Sequence, residues 1–325
     1  MLWPEIPNPL VVMVGPTAVG KTETALKLAE AAGGEIISAD SRYLYRGMNI
    51  GTAKPSREEM ERVPHHLVDV ADPDETWSLA VFKQAAQSAI REVQQRGRLP
   101  VLVGGTGQYV RAIVEDWEIP QQEPDYRLRD VLEKWGRDIG PQELHRRLAG
   151  VDPAAAERID PGNLRRTVRA LEVMLLTGRR FSEQRTRAGS PYSLLMIGLK
   201  RPRPELYERI DRRIEAMLEG GLVEEVKSLL DQGCSPDLPA FSSIGYREMA
   251  AYLQGKMSLE EAVVQMKRLT RQFVRRQANW FKETDPTIHW FDAGQVTVEQ
   301  LLDLLADPAA WRPPEQTEAP QTDAS

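Results

Sequence analysis

Short apolar runs alternate with amphipathic segments along the first part of the chain. Residues 10–14, 35–39 and 98–103 each read as a buried strand, as is typical of a parallel sheet covered on both faces. Lys21–Ala32 and residues 78–96 carry apolar side chains at helical spacing, which predicts two helices. The pattern therefore predicts an α/β fold with helices on both faces of a parallel sheet. A short helix at Arg57–Arg62, a strand at residues 66–70 and a turn-rich surface loop at residues 42–55 complete this part.

The pattern changes near residue 120. From there to residue 191 no strand pattern occurs, and helical stretches are separated by glycines. An apolar strand at residues 194–199 then resumes the sheet, so the sheet domain is predicted to be discontinuous. The predicted domains are a core in residues 1–118 and 192–306, an all-helical insertion in residues 119–191, and a disordered tail in residues 307–325. Further elements are predicted at residues 125–137, 141–148, 153–159, 163–177, 204–219, 222–231 and 258–283 for helices, and at residues 287–291 for a strand.

The segment that joins the first strand to the first helix has the pattern G-x-x-x-x-G-K-T. In this context the pattern predicts a P-loop, whose glycines let backbone N–H groups surround a phosphate at the N-terminus of a helix. Lys21 is expected to bridge phosphate oxygens, and the hydroxyl of Thr22 is expected to bind Mg²⁺. The loop alone does not indicate whether the phosphate is transferred or released. Its residues are Gly15, Pro16, Thr17, Ala18, Val19, Gly20, Lys21 and Thr22.

Polar residues also follow two other predicted strands. Asp40 ends the strand at residues 35–39, and Thr106 lies in a Gly-Gly-Thr-Gly turn after the strand at residues 98–103. Because ligands of such sheets bind at the carboxyl ends of the strands, we expect both residues near the P-loop. A carboxylate there has three possible roles, which are coordination of Mg²⁺ through water, capping of a turn and general-base catalysis.

Composition and charge limit the possible partners. The net charge is −6, but residues 163–187 contain seven arginines and two glutamates, and residues 267–276 contain five basic residues and no acid. Two basic patches in an acidic chain are compatible with a polyanionic partner, and solvated helix faces are the alternative. A single cysteine fits a reducing compartment, and no apolar run is long enough to span a bilayer. We therefore expect a cytoplasmic protein that does not bind membranes.

Two alternative functions are compatible with the P-loop. A small-molecule P-loop kinase would use the same loop, the same carboxylate and the same sheet, but it does not need a helical insertion with arginine-rich helices. A nucleotide-dependent switch or an RNA-binding module without chemistry would leave Asp40 without a catalytic role. Arg209, Arg212 and Arg213 lie on one predicted helix, where one or two of them could reach a diphosphate.

An ordered set of motifs resembles the tRNA dimethylallyltransferase family over roughly residues 10–291. A bare P-loop is shared by many enzymes, whereas this ordered set is highly specific. The motifs are the P-loop GPTAVGKT, DS at residues 40–41, YRGM at 45–48, GTAKP at 51–55, PHHL at 64–67, GGTG at 104–107, RALE at 169–172, IGYRE at 244–248, RQ at 276–277 and WF at 280–281.

The resemblance implies transfer of a dimethylallyl group from its diphosphate to N6 of adenine 37, beside the tRNA anticodon. It implies that the P-loop holds the diphosphate with Mg²⁺ at Thr22 and that Asp40 is the general base. Thr106 would position the reacting groups, and Arg213 is the best match for an arginine near the diphosphate. No feature of the sequence requires a dimer, so a monomer is expected.

The resemblance also implies which residues contact the anticodon stem-loop of the tRNA. Tyr43, Gln108 and Asn279 stand where the family usually has Gln, Leu and Thr. At position 43, an aromatic ring can stack where an amide would donate a hydrogen bond. The implied tRNA-binding residues are Asp40, Ser41, Arg42, Tyr43, Thr106, Arg127, Arg165, Arg166, Arg169, Ser242, Gly245, Tyr246, Arg247, Arg275, Arg276, Gln277 and Trp280.

Overall fold

A six-stranded sheet forms the centre of the computed structural model, which describes residues 3–119, 125–184 and 189–315. The strand order is β3-β2-β4-β1-β5-β6, and every neighbouring pair is parallel. The predicted parallel sheet is confirmed. The strands are β1 (Pro9–Val14), β2 (Gly34–Ser38), β3 (His65–His66), β4 (Leu99–Val103), β5 (Ser193–Lys200) and β6 (His289–Asp292).

Helices cover both faces of the sheet, because alternate residues of each strand point to opposite sides. Val11 and Met13 of β1 pack in one buried cluster, whereas Leu10, Val12 and Val14 pack in the other. The helices are α1 (Lys21–Ala32), α2 (Arg57–Arg62), α3 (Leu79–Gln95), α4 (Gly107–Val114), α5 (Tyr126–Ile139), α6 (Pro141–Val151), α7 (Pro153–Glu157), α8 (Leu164–Thr177), α9 (Arg203–Glu219), α10 (Leu222–Asp231), α11 (Tyr246–Leu253), α12 (Leu259–Gln277) and α13 (Val298–Ala306).

Three predicted elements were wrong in extent. The strand at residues 66–70 ends at His66, because Leu67 and Asp69 have left-handed φ angles of 61° and 55° that extended strands do not adopt. The segment at residues 42–55 is not a simple surface loop, since Leu44 and Met48 are fully buried. The helix predicted to reach residue 283 ends at Gln277.

The chain divides into two compact units. The first contains Met1–Val114 and Gly189–Ser325, and the second contains Glu115–Ala188. In the second unit, α5, α6 and α8 pack around their own buried cluster, which includes Leu132, Leu144 and Val168.

The tail predicted to be disordered from residue 307 is ordered in its first part. The indole of Trp311 is buried and donates to the Leu305 carbonyl, 3.0 Å away. Arg312 pairs with Leu194 in an antiparallel bridge beside β5. The boundary at residue 307 was wrong, because burial of this aromatic ring stabilises the segment in spite of its Pro-rich composition. Residues 316–325 lie outside the described part of the chain.

Candidate active site

A cavity of about 600 Å³ lies at the carboxyl ends of β1, β2 and β4. Its lining brings together Lys21 and Thr22 after β1, Asp40 after β2 and Gly105 after β4. Arg213 of α9 closes another side. The parallel sheet therefore places a cation, a hydroxyl and a carboxylate around one space, as its topology requires.

The loop between β1 and α1 is curled by three unusual backbone angles. Gly15 and Gly20 have φ angles of 150° and 115°, and Ala18 lies in the left-handed region at 62°. The Nζ of Lys21 donates to the carbonyl of Pro16, 2.8 Å away, across the loop. This curled loop before the N-terminus of α1 has the form of an anion-binding site.

Side chains from distant elements bind the outside of this loop. The guanidinium of Arg209 donates to the Ala18 carbonyl at 2.7 Å, and that of Arg201 donates to the Val19 carbonyl at 2.9 Å. Gln277 accepts the Thr17 N–H at 2.8 Å. Sequence reasoning missed Arg201 and Gln277 as loop contacts, because their targets are backbone atoms 182 and 260 residues away.

Burial lowers the pKa of Lys21 from 10.5 to about 8, although the nearby Asp40 carboxylate opposes the shift. The positive charge of Arg213 lowers this pKa further. The site thus holds two cations close together, and an anionic ligand would relieve their repulsion. This electrostatic pattern is what a diphosphate site needs.

Asp40 and Thr106 are held by backbone hydrogen bonds on neighbouring loops. The Asp40 carboxylate accepts the Arg42 N–H at 2.9 Å, which closes a tight turn. The Thr106 hydroxyl accepts the Ser41 N–H at 3.2 Å. The structure therefore links the two loops that carry the candidate base and the candidate positioning hydroxyl.

Tyr43 lines the same cavity as Lys21 and Thr22 of the Gly15–Thr22 loop. Its hydroxyl donates to the Ala53 carbonyl at 2.8 Å. Burial, with help from the Asp40 charge, raises the pKa of Tyr43 to about 12. This phenol is therefore a neutral part of the cavity wall at physiological pH.

The segment at residues 49–55 forms part of the cavity wall, and Thr52, Ala53, Lys54 and Pro55 line the cavity. Its backbone N–H groups at Asn49, Ile50 and Gly51 all donate to the carboxylate of Glu225, at 2.8 to 3.2 Å. Arg213 donates to the Thr52 carbonyl at 3.2 Å. Sequence reasoning missed Glu225, since an acidic residue in the first turn of a helix is ordinarily explained by the helix dipole alone.

Several residues implied to contact tRNA do lie at the surface of the first unit. Arg247, Arg275 and Arg276 are exposed, and Arg42 donates to the exposed Ser242 hydroxyl at 3.2 Å. Trp280 is half-buried, and its ring packs against Gly107, where an added Cβ would lie 2.1 Å from it.

Three other residues implied to contact tRNA are buried. Gly245 and Tyr246 are buried, and the Tyr246 hydroxyl donates to Glu225, so in this conformation neither residue is available to an RNA. Gln277 is likewise buried and bound to backbone groups of two loops.

In the second unit, Arg127, Arg165 and Arg166 are exposed. Arg169 instead pairs with Glu172 at 3.0 Å, and Arg129 pairs with the same fully buried carboxylate at 2.8 Å. An unpaired buried carboxylate is costly, so these arginines have a structural role between α5 and α8. The prediction that Arg169 contacts tRNA stays a prediction, since its side chain is also partly exposed.

Within the described ranges, no group of three or more His, Cys, Asp or Glu side chains is arranged to hold a metal ion. Across the same part of the chain, every helix is too short or too polar to cross a lipid bilayer.

Comparisons with known proteins identify the family. A family model described as IPP transferase matches residues 43–284. The tRNA dimethylallyltransferase of Thermomicrobium roseum is 51% identical over 288 residues, which are 89% of this chain and 87% of that protein. The tRNA dimethylallyltransferase of Desulforudis audaxviator is 50% identical over 290 residues, 88% of this chain and 93% of that protein.

Solved structures agree with the sequence comparisons. The tRNA isopentenylpyrophosphate transferase of Bacillus halodurans is 45% identical, with a TM-score of 0.67 over 91% of this chain and 94% of that chain. A eukaryotic dimethylallyltransferase described as acting on tRNA is 28% identical, with a TM-score of 0.75 over 88% of this chain and 74% of that chain. The chain therefore belongs to the IPP transferase family.

Proposed function

We propose that this protein transfers a dimethylallyl group from dimethylallyl diphosphate to N6 of adenine 37 of a tRNA, next to the anticodon. Its named relatives are tRNA dimethylallyltransferases. The observation that carries the proposal is the convergence of Lys21, Asp40 and Arg213 on one cavity. This cavity combines a site for an anionic leaving group with a carboxylate that can accept a proton.

The reaction forms a bond from N6 to the allylic carbon and breaks the bond between that carbon and the diphosphate oxygen. Asp40 accepts the proton that N6 loses, because an exocyclic amine is a poor nucleophile without a base. Lys21, Arg213 and the backbone N–H groups of the phosphate loop stabilise the charge that develops on the leaving diphosphate. Thr106 orients the acceptor side, and the adenine must leave its stack to enter the cavity.

The donor atoms near the phosphate loop fit Mg²⁺. A hydroxyl at Thr22 and a carboxylate at Asp40 border the same cavity, and Mg²⁺ typically takes one or two protein oxygens together with substrate phosphates and water. Bound there, Mg²⁺ would neutralise charge on the diphosphate. We further propose a cytoplasmic monomer, with size-exclusion chromatography coupled to light scattering as the test of its oligomeric state.

The test is incubation of the protein with unmodified tRNA, Mg²⁺ and dimethylallyl diphosphate, followed by digestion and mass spectrometry of the nucleosides. We expect N6-dimethylallyladenosine, and none from the same tRNA with guanine at position 37. No prenylated adenosine from any tRNA would refute the proposal. Consumption of ATP with phosphorylation of a small acceptor would instead identify a P-loop kinase.

Asp40→Asn tests the proposed base. We expect the rate of transfer to fall at least about 10²-fold while the affinity for tRNA changes little. Asp72→Asn is the control, because Asp72 pairs with Arg46 on the surface. An equal loss of tRNA binding and transfer in Asp40→Asn would show that this carboxylate is structural.

A further inference from the structure

The side chain of Gln277 joins two loops of the candidate active site. Gln277 is the last residue of α12, and it is only 7% exposed. Its amide oxygen accepts the N–H of Thr17 in the phosphate loop at 2.8 Å. Its amide nitrogen donates to the carbonyl of Gly105, beside Thr106, at 2.9 Å. One side chain therefore binds the loop for the leaving group and the loop on the acceptor side.

The fit around this amide is close. A Cβ on Gly105 would lie 2.4 Å from the Gln277 nitrogen, so any side chain at position 105 would displace this amide from its hydrogen bonds. Gln277 also borders a second cavity of about 400 Å³, whose walls include Val274 and Phe281. Gly105, which accepts from this amide, lines both this cavity and the one that contains Lys21 and Asp40.

Both hydrogen bonds are specific to an amide. An amide supplies one acceptor and one donor group, and the two targets are a backbone N–H and a backbone C=O. A carboxylate could accept from Thr17 but would face the Gly105 carbonyl with a second acceptor. A lysine could donate to Gly105 but could not accept from Thr17.

We propose that Gln277 is a positioning residue that fixes the separation between the phosphate loop and the Gly104–Gly107 turn. This inference rests on the proposed prenyl transfer. When both substrates are bound, the link keeps the allylic carbon and N6 in line for reaction. It acts on the rate of transfer and not on tRNA binding, which is the opposite of what a tRNA contact would do. A misplacement of about 1 Å is enough to cost about 10²-fold in rate.

The first test compares Gln277→Met with Arg276→Ala. Methionine removes both hydrogen bonds at similar volume, whereas Arg276 is exposed on the same helix end and was implied to contact tRNA. For Gln277→Met we expect kcat to fall about 10²-fold, with the Kd for tRNA within about twofold of wild type. For Arg276→Ala we expect the opposite pattern, in which the Kd for tRNA weakens by a larger factor than kcat falls.

The second test uses the pH profile of Gln277→Glu. A protonated carboxyl group has the donor and the acceptor of an amide, whereas the ionised group lacks the donor. The ratio of variant to wild-type kcat should therefore rise as the pH falls through the pKa of the introduced carboxyl. A merely space-filling role would give a ratio independent of pH. Circular dichroism melting curves check that both variants are folded.

The outcomes separate the inference from the proposed function. A wild-type protein that makes no prenylated adenosine refutes the function and the inference with it. An active wild type together with fully active Gln277→Met and Gln277→Glu variants refutes the inference alone. A variant that reaches wild-type kcat at saturating tRNA but binds tRNA weakly identifies Gln277 as a tRNA contact and also overturns the inference.

Discussion

At the scale of single residues, the surroundings of Lys21 disfavour its charged form, and an anionic ligand would favour it. Its ammonium is desolvated, lies near Arg213 and donates to the Pro16 carbonyl, which is a weak partner for a full charge. The Asp40 carboxylate compensates only in part, because the pKa still falls to about 8. A bound diphosphate would favour the charged form and raise this pKa again.

This linkage predicts how donor affinity depends on pH. Below pH 8 Lys21 is already protonated, so binding of dimethylallyl diphosphate needs no proton. Above pH 8 the free protein has lost that proton and must take it up on binding, so affinity should fall as the pH rises. Calorimetry in buffers of different ionisation enthalpy measures the uptake directly. Lys21→Met should bind dimethylallyl diphosphate weakly at every pH and take up no proton above pH 8. If the wild-type affinity for the donor does not change from pH 7 to about pH 9.5, Lys21 is not the group that takes up the proton.

At the scale of elements, the wall of the cavity is held by α10 and α11. Glu225 of α10 accepts three backbone N–H groups from the segment at residues 49–51 and the hydroxyl of Tyr246 from α11. Burial raises the pKa of Tyr246, so this phenol stays protonated and continues to donate. Residues 49–51 belong to no helix or strand. The Glu225 carboxylate supplies the acceptors that a neighbouring strand would otherwise provide for their backbone N–H groups.

Glu225→Gln should therefore loosen this wall. An amide has only one acceptor oxygen, so at least one of the part-buried N–H groups at Ile50 and Gly51 loses its partner, at a cost of about 1 kcal/mol. We expect urea denaturation to show this loss in the free energy of unfolding, together with a higher KM for the donor. Glu224→Gln is the control, since Glu224 is exposed in the same first turn of α10. Equal stability of the two variants would show that the carboxylate is not the anchor of the wall.

The sequence predicted long elements better than short ones. Lys21–Ala32 and Leu222–Asp231 were predicted at their observed ends, because glycines flank both helices and their apolar faces repeat regularly. The helix α4 was missed, since it has only eight residues and all of them except Gln108 and Arg111 are buried. The helix α12 stops at Gln277, six residues early, where tertiary contacts of Gln277 and Trp280 override the local pattern.

In the candidate site, too, features set by local sequence could be predicted and features set by tertiary contacts could not. That the Gly15–Thr22 loop, Asp40 and Thr106 lie at one edge of the sheet could be predicted, because each follows a strand and the carboxyl ends of parallel strands meet there. The side chains that shape the loop could not, because Gln277 and Arg209 act on backbone atoms 260 and 191 residues away. No local pattern records such contacts, and the arginine of an amphipathic helix is ordinarily a solvated charge.

At the scale of the whole molecule, net charge and RNA binding are in tension. The chain carries a net charge of −6, which on average repels a polyanion. Binding of tRNA then depends on local clusters of arginines whose charge is not already paired. Arg169 is paired with the buried Glu172, whereas Arg165 and Arg166 extend from the exposed face of α8.

The double variant Arg165→Ala with Arg166→Ala should therefore weaken tRNA binding in a salt-dependent way. A variant that makes fewer phosphate contacts releases fewer counterions from the tRNA when it binds. The slope of log K against log salt should therefore become shallower by about one for each arginine removed. The control is Arg137→Ala, because Arg137 is exposed in the same unit but pairs with Glu133. The slopes of the double variant and of the control are measured by filter binding over a range of KCl concentrations. Both proteins also carry Asp40→Asn, so that little transfer occurs during the measurement. If the double variant keeps the wild-type slope, these arginines are solvated surface charges, and tRNA must bind through the exposed arginines of the first unit instead.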